Sequence, residues 1–137
     1  MFLKKNNNKT EANFLIKVCA LLIHAAKIDQ NYTENEETII KKTLIELGSS
    51  KEDLSKTVED AKIIEENSNQ ILDFTKEVKN LPKQDKIKIV EALWSIIYSN
   101  KDADMYETNL MRRLGGLLYI DNKTMGDIKD RIKNQNL

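Results

Sequence analysis

The sequence predicts an all-α protein, a single compact bundle of about seven helices carrying an internal repeat of helix-loop-helix units. Three observations predict it. Apolar residues recur at helical spacing throughout, and no segment alternates with period two over a useful length. Four glycines and one proline in 137 residues are too little punctuation for a protein of strands and tight turns. Finally, residues 86–118 repeat residues 15–47 at an offset of 71 positions. Ile16 falls on Ile87, Val18 on Ile89, Cys19 on Val90, Leu22 on Leu93 and Ile23 on Trp94. Beyond the intervening loop, Ile39 and Ile40 fall on Leu110 and Met111, and Leu47 on Leu118. A duplication of this length constrains the architecture before any single residue is interpreted.

Taken in order, residues 1–10 read as a flexible polar tail marked by NNNK, and residues 11–137 as the helical domain. The alternative is that Phe2 and Leu3 fold back onto the body. Thr10 is a plausible N-cap for a first helix over 11–28, with Phe14, Leu15, Val18, Leu21, Leu22, Ala25 and Ala26 on one stripe. Ile16, Cys19 and Ile23 widen that stripe around the cylinder, so this helix should be mostly buried. Thr33-Glu34-Asn35-Glu36 has the form of a capping box and opens a second helix bearing Ile39, Ile40, Leu44 and Leu47. Gly48 stands where a left-handed residue would close it. A charged third helix should open at Ser50, with Leu54, Val58, Ala61 and Ile64 inward, and break across 65–68. A fourth, over 69–80, offers Ile71, Leu72, Phe74, Thr75 and Val78. Pro82 suits the first position of a fifth helix ending near Ser99. That helix is apolar on nearly every side, the mark of a central one. Asp104-x-x-Glu107 resembles a second capping box and opens the sixth helix. Gly115-Gly116 within it points to a close helix–helix contact. Asp121 caps a final helix that turns Met125, Ile128 and Ile132 inward.

Hydrophobic residues make up 40% of the chain and charged residues 32%, an ordinary balance for a solvated globular domain. Lysine and arginine number 22 against 22 acidic residues, so no global field favours nucleic acid or an anionic membrane. The single cysteine cannot form an internal disulfide, which is compatible with a reducing compartment. The N-terminus lacks the apolar core of a secretory signal, and no apolar run approaches the roughly 20 residues of a membrane span. The expectation is a cytoplasmic protein with no nucleic-acid partner and no transmembrane segment.

The helix ending in AAKID with its loop to Glu36, and EALWSIIYSNKDAD followed by ETNLMRR, resemble the TerB-like family, named for a bacterial tellurite-resistance protein. The resemblance covers roughly residues 11–133. It implies an all-helical cytoplasmic domain whose acidic loops take a divalent cation, in systems that respond to metal or envelope stress. Two departures stand out. Family loops begin Asp-Gly, whereas these begin Asp29-Gln30 and Asn100-Lys101. Asn100 removes a carboxylate from the second loop, Lys101 adds a positive charge, and neither Gln30 nor Lys101 has glycine's freedom at positive φ.

The loops correspond across the repeat. Asp29, Asn31, Thr33 and Glu36 form the first oxygen-rich set; Asn100, Asp102, Asp104 and Glu107 form the second. Hard cations such as Ca²⁺ and Mg²⁺ require several oxygen ligands, and alternating oxygen side chains followed by a glutamate could converge on one. The spacing is shorter than that of an EF-hand, whose last glutamate lies eleven positions after the first ligand. The same residue types also cap helices and make turns, and both glutamates hold the third position of a capping box. Both readings therefore stand for each loop. His24, one turn before the first loop, is a ligand candidate or a packing residue. Cys19 reads as core, Trp94 and Tyr98 as interhelical packing or a groove wall, and Arg112-Arg113 as a solvated face or an anion site. Phosphate loops, nucleophile triads and zinc spacings are absent. The resulting expectation is a non-enzymatic, partner-binding helical protein with a Ca²⁺ or Mg²⁺ site in its loops; the alternative is a structural interaction module with capped turns only.

Overall fold

A computed structural model describes residues 2–27, 33–68, 71–76, 78–99 and 105–135, with side chains described from residue 13 and, in the sixth helix, from residue 109. Seven α-helices and one 3₁₀ turn fill these residues, with no strand among them. They are α1 (Phe2–Ala26), α2 (Glu34–Glu46), α3 (Leu54–Glu66), α4 (Leu72–Thr75), α5 (Lys83–Tyr98), α6 (Met105–Leu117) and α7 (Asn122–Gln135), with the 3₁₀ turn at Val78–Asn80.

The two most apolar helices form the centre. In α1, every residue from Val18 to Ile23 is buried, a run that a one-sided amphipathic helix could not hide. It is covered by α3 above all, and by α2, α4 and α5. In α5, Ile89, Val90, Leu93, Trp94, Ile96 and Ile97 are buried, packed on α7, α1 and α2. Each large aliphatic side chain hidden in this way contributes about 1.5–3 kcal/mol. Glu91 and Arg131 tie α5 to α7 through a 3.2 Å ion pair at the half-exposed edge of the contact.

Several boundaries differ from the sequence expectation. α1 begins at Phe2, so Thr10 lies inside the helix and does not cap it. No glycine or proline separates 2–10 from the strong segment that follows, and a formed helix propagates readily into such residues. Ser50 does not begin α3. Its hydroxyl donates to Asp53 at 2.9 Å and accepts from the Asp53 N–H at 3.2 Å, making a turn before Leu54. The expected fourth helix shortens to Leu72–Thr75 plus the 3₁₀ turn. Leu72 points outward, while Ile71, Phe74, Thr75 and Val78 are buried. Pro82 occupies the N-cap position, one residue earlier than expected, with φ −56° and ψ 149°.

The helix ends follow local chemistry closely. Gly48 adopts φ 115° and closes α2 as expected, with Gly48 N–H on the Ile45 carbonyl and Ser49 N–H on that of Leu44, a Schellman pair. α6 ends in the same bond pattern, from Tyr119 to Gly116 and Ile120 to Gly115. Of the Gly115-Gly116 pair, only Gly115 marks a close approach: a Cβ there would lie 3.3 Å from Met125 on α7, whereas one on Gly116 would meet nothing. The internal repeat is not established by the packing. α1 lies against α2, α3, α4 and α5, while the described contacts of α5 run mainly to α7, α1 and α2.

Candidate functional site

The first loop leaves the C-terminus of α1 and enters α2. Asp29 and Asn31 lie outside the described residues; Thr33 and Glu36 lie within them. Thr33 is the N-cap of α2 in an extended conformation. Its N–H and hydroxyl both donate to Glu36 Oε1, each at 2.9 Å, and its Oγ1 accepts from the Glu36 N–H at 3.4 Å. The capping box read from the sequence is therefore present with both arms. Its glutamate is 0% exposed, which is unusual, because capping glutamates normally lie at a wet helix end. An ionised carboxylate so deeply buried is costly unless hydrogen bonds or an opposite charge compensate it.

A second acidic group is buried on α3, and sequence reasoning missed it. Glu65 was expected within a break, yet it is buried, with its side chain 9% exposed. It receives Lys27 Nζ on Oε2 at 2.8 Å and has His24 Nδ1 3.4 Å from Oε1. The His24 ring also packs against Phe74 at 5.9 Å between centroids. His24 is thus held between a carboxylate and an aromatic ring, in keeping with the packing reading. Only the spacing of Glu65 from Leu54, Val58 and Ala61 could have signalled its inward direction.

In the second loop, Asn100, Asp102 and Asp104 lie outside the described residues, as does the side chain of Glu107 on α6. Among the described residues, no group of three or more His, Cys, Asp or Glu is arranged to hold a metal ion. Of the four oxygen ligands expected in the first loop, Thr33 and Glu36 are the two whose positions are described.

Cys19 offers no reactive site. Burial pushes its thiol up to about 12, Glu37's charge adds to the rise and Lys62 opposes it, so the nucleophilic thiolate is scarce at neutral pH.

A cleft lies between α5, α6 and α7. Trp94, 3% exposed, stacks on Tyr98 at 5.8 Å and 23°. Lys129 Nζ stands 5.4 Å from the Trp94 ring centroid. Arg112, which the sequence left as a surface or anion-binding residue, lines the same cleft.

No helix of the described residues is long and apolar enough to cross a membrane. Comparison with curated proteins and with solved structures returned no match. The family model described as tellurite resistance protein TerB matches residues 15–130, from the buried half of α1 into α7. By that match the chain belongs to the TerB family.

Proposed function

We propose that this chain is a non-enzymatic, cytoplasmic binding module that joins a protein partner and takes Ca²⁺ or Mg²⁺ at its first loop. Asp29, Asn31, Thr33 and Glu36 would hold the ion, which would draw the loop onto the start of α2. A setting in metal or envelope stress follows from the family resemblance, and tellurite resistance from the family's name. The observation that carries the cation reading is the complete burial of Glu36 at the loop's edge. A divalent cation would offset the cost of holding that carboxylate away from water. The second loop, with Asn100 and Lys101 at its start, would bind more weakly. A second reading, a structural module with capped turns only, is favoured by the fully formed Thr33–Glu36 capping box.

Thermal melting separates the two. A cation present at about ten times its Kd adds about 1.4 kcal/mol to the folded state, worth roughly 4 °C in a domain of this size. Wild-type protein should gain that much in millimolar Ca²⁺ or Mg²⁺ relative to chelator. Glu36→Gln retains an oxygen for the cap and removes the charge. It should lose most of the gain, and Asp102→Asn should lose little. Identical melting in both cations and in chelator would leave only the capped-turn reading.

A further inference from the structure

We propose that the cleft between α5, α6 and α7 binds a small carboxylate with a flat apolar body, such as a single aromatic ring. Its volume is about 140 Å³, close to that of an apolar cavity that accommodates benzene. Trp94, Met111 and Met125 supply apolar wall, and Arg112 on α6 and Lys129 on α7 supply cations. No carboxylate stands among the described lining residues. The charge offered by the described lining residues is therefore of one sign, and arginine's planar fork matches a carboxylate edge.

Two independent features favour an occupant. Among the described residues, Trp94 Nε1 is buried with no hydrogen-bond acceptor, although buried indole N–H groups usually find one. A carboxylate has only acceptors to offer, and the unbranched side chains of Met111 and Met125 can shift to admit one. Gly126 also lines the cleft. It lies inside α7, where glycine is unfavourable relative to alanine, yet its φ is not positive. A Cβ at Gly126 would meet nothing within 4 Å. Neither backbone conformation nor close packing explains this glycine, and its effect is to leave the cleft open. None of this depends on the cation reading.

Trp94 is the sole tryptophan, so its fluorescence and its single indole N–H resonance report on the cleft directly. The full chain is titrated with benzoate, benzyl alcohol and inorganic phosphate, each to about 10 mM at constant ionic strength, a range that covers millimolar affinity. Benzoate should change the fluorescence saturably and shift the indole N–H resonance, with benzyl alcohol and phosphate each about tenfold weaker because each supplies one half of the match. Arg112→Gln and Lys129→Gln should each weaken benzoate about fivefold or more with helicity unchanged. Gly126→Leu should weaken it about tenfold by filling the cleft while leaving a cooperative melt. The proposal is overturned if benzoate gives no saturable response, if benzyl alcohol or phosphate binds as well as benzoate, or if both cation variants bind benzoate like the wild type.

Discussion

Tyr119 and Gly48 do the same work at the ends of two helices, with different backbone costs. Both sit at positive φ, 59° for Tyr119 and 115° for Gly48, and both follow a helix closed by a Schellman pair. Glycine enters this region freely, whereas a residue with a Cβ loses roughly 1–2 kcal/mol. Tyr119 recovers part of that through the Lys86 ammonium, 5.6 Å from its ring centroid. The ring is 70% exposed, so this contact is worth only about 0.5 kcal/mol. Tyr119→Gly should therefore stabilise the protein by up to about 0.5 kcal/mol, once glycine's greater freedom in the unfolded chain, about 0.4–1 kcal/mol, is subtracted. Denaturant unfolding measures this, and a net loss would show that the Lys86 contact outweighs the backbone strain.

At the level of the element, α7 shows how a helix of low hydrophobicity is held in place. Only Met125, Ile128 and Ile132 of its inner face are buried, so its first turn matters. Asp121 accepts from the Thr124 hydroxyl at 2.6 Å and from the Thr124 N–H at 3.2 Å. These two bonds, the hydroxyl's first, hold the carboxyl below its ordinary value of 3.8. A depressed value in the folded state means that the ionised cap stabilises the protein above the unfolded value and loses that effect as the pH falls toward the folded one. Asp121→Ala should accordingly melt below wild type at neutral pH. The gap should narrow as the pH drops below about 4, where the unfolded carboxyl takes up its proton. Asp121→Asn should keep most of the cap with less of the pH dependence. A gap between wild type and Asp121→Ala that is constant from neutral to acid pH would assign the loss to something other than the ionised cap.

Across the whole molecule, Cys19 provides a test of how tightly the centre is closed. It is fully buried in α1, beneath the helix's contacts with α2, α3, α4 and α5. A thiol raised to about 12 reacts only when the chain opens and exposes it. Labelling by a thiol reagent should be at least about 1,000-fold slower in native buffer than in denaturant, as expected of a core opened only by global unfolding in a domain of ordinary stability. A native rate within about tenfold of the denatured rate would mean that α1 separates from its neighbours well before the rest of the fold.

The helical class, the central place of α1 and α5, and the local closures could all be read from the residues alone. Periodicity and caps act over a few residues, and Thr33 with Glu36, Gly48 and Asp121 each carries its geometry in its own side chain or its lack of one. Candidate ligands could likewise be chosen by oxygen chemistry and spacing, although most of them fall outside the described residues. Tertiary structure decided what covers what. Glu65 is drawn into the α1–α3 contact beside Lys27 and His24, Leu72 is turned out while Phe74 is turned in, and Gly115 alone meets Met125. Glu36 carries the capping signal in its sequence, but its complete burial comes from the neighbours that close over it. Spacing along one helix fixes which residues share a face; burial depends on distant elements arriving at that face.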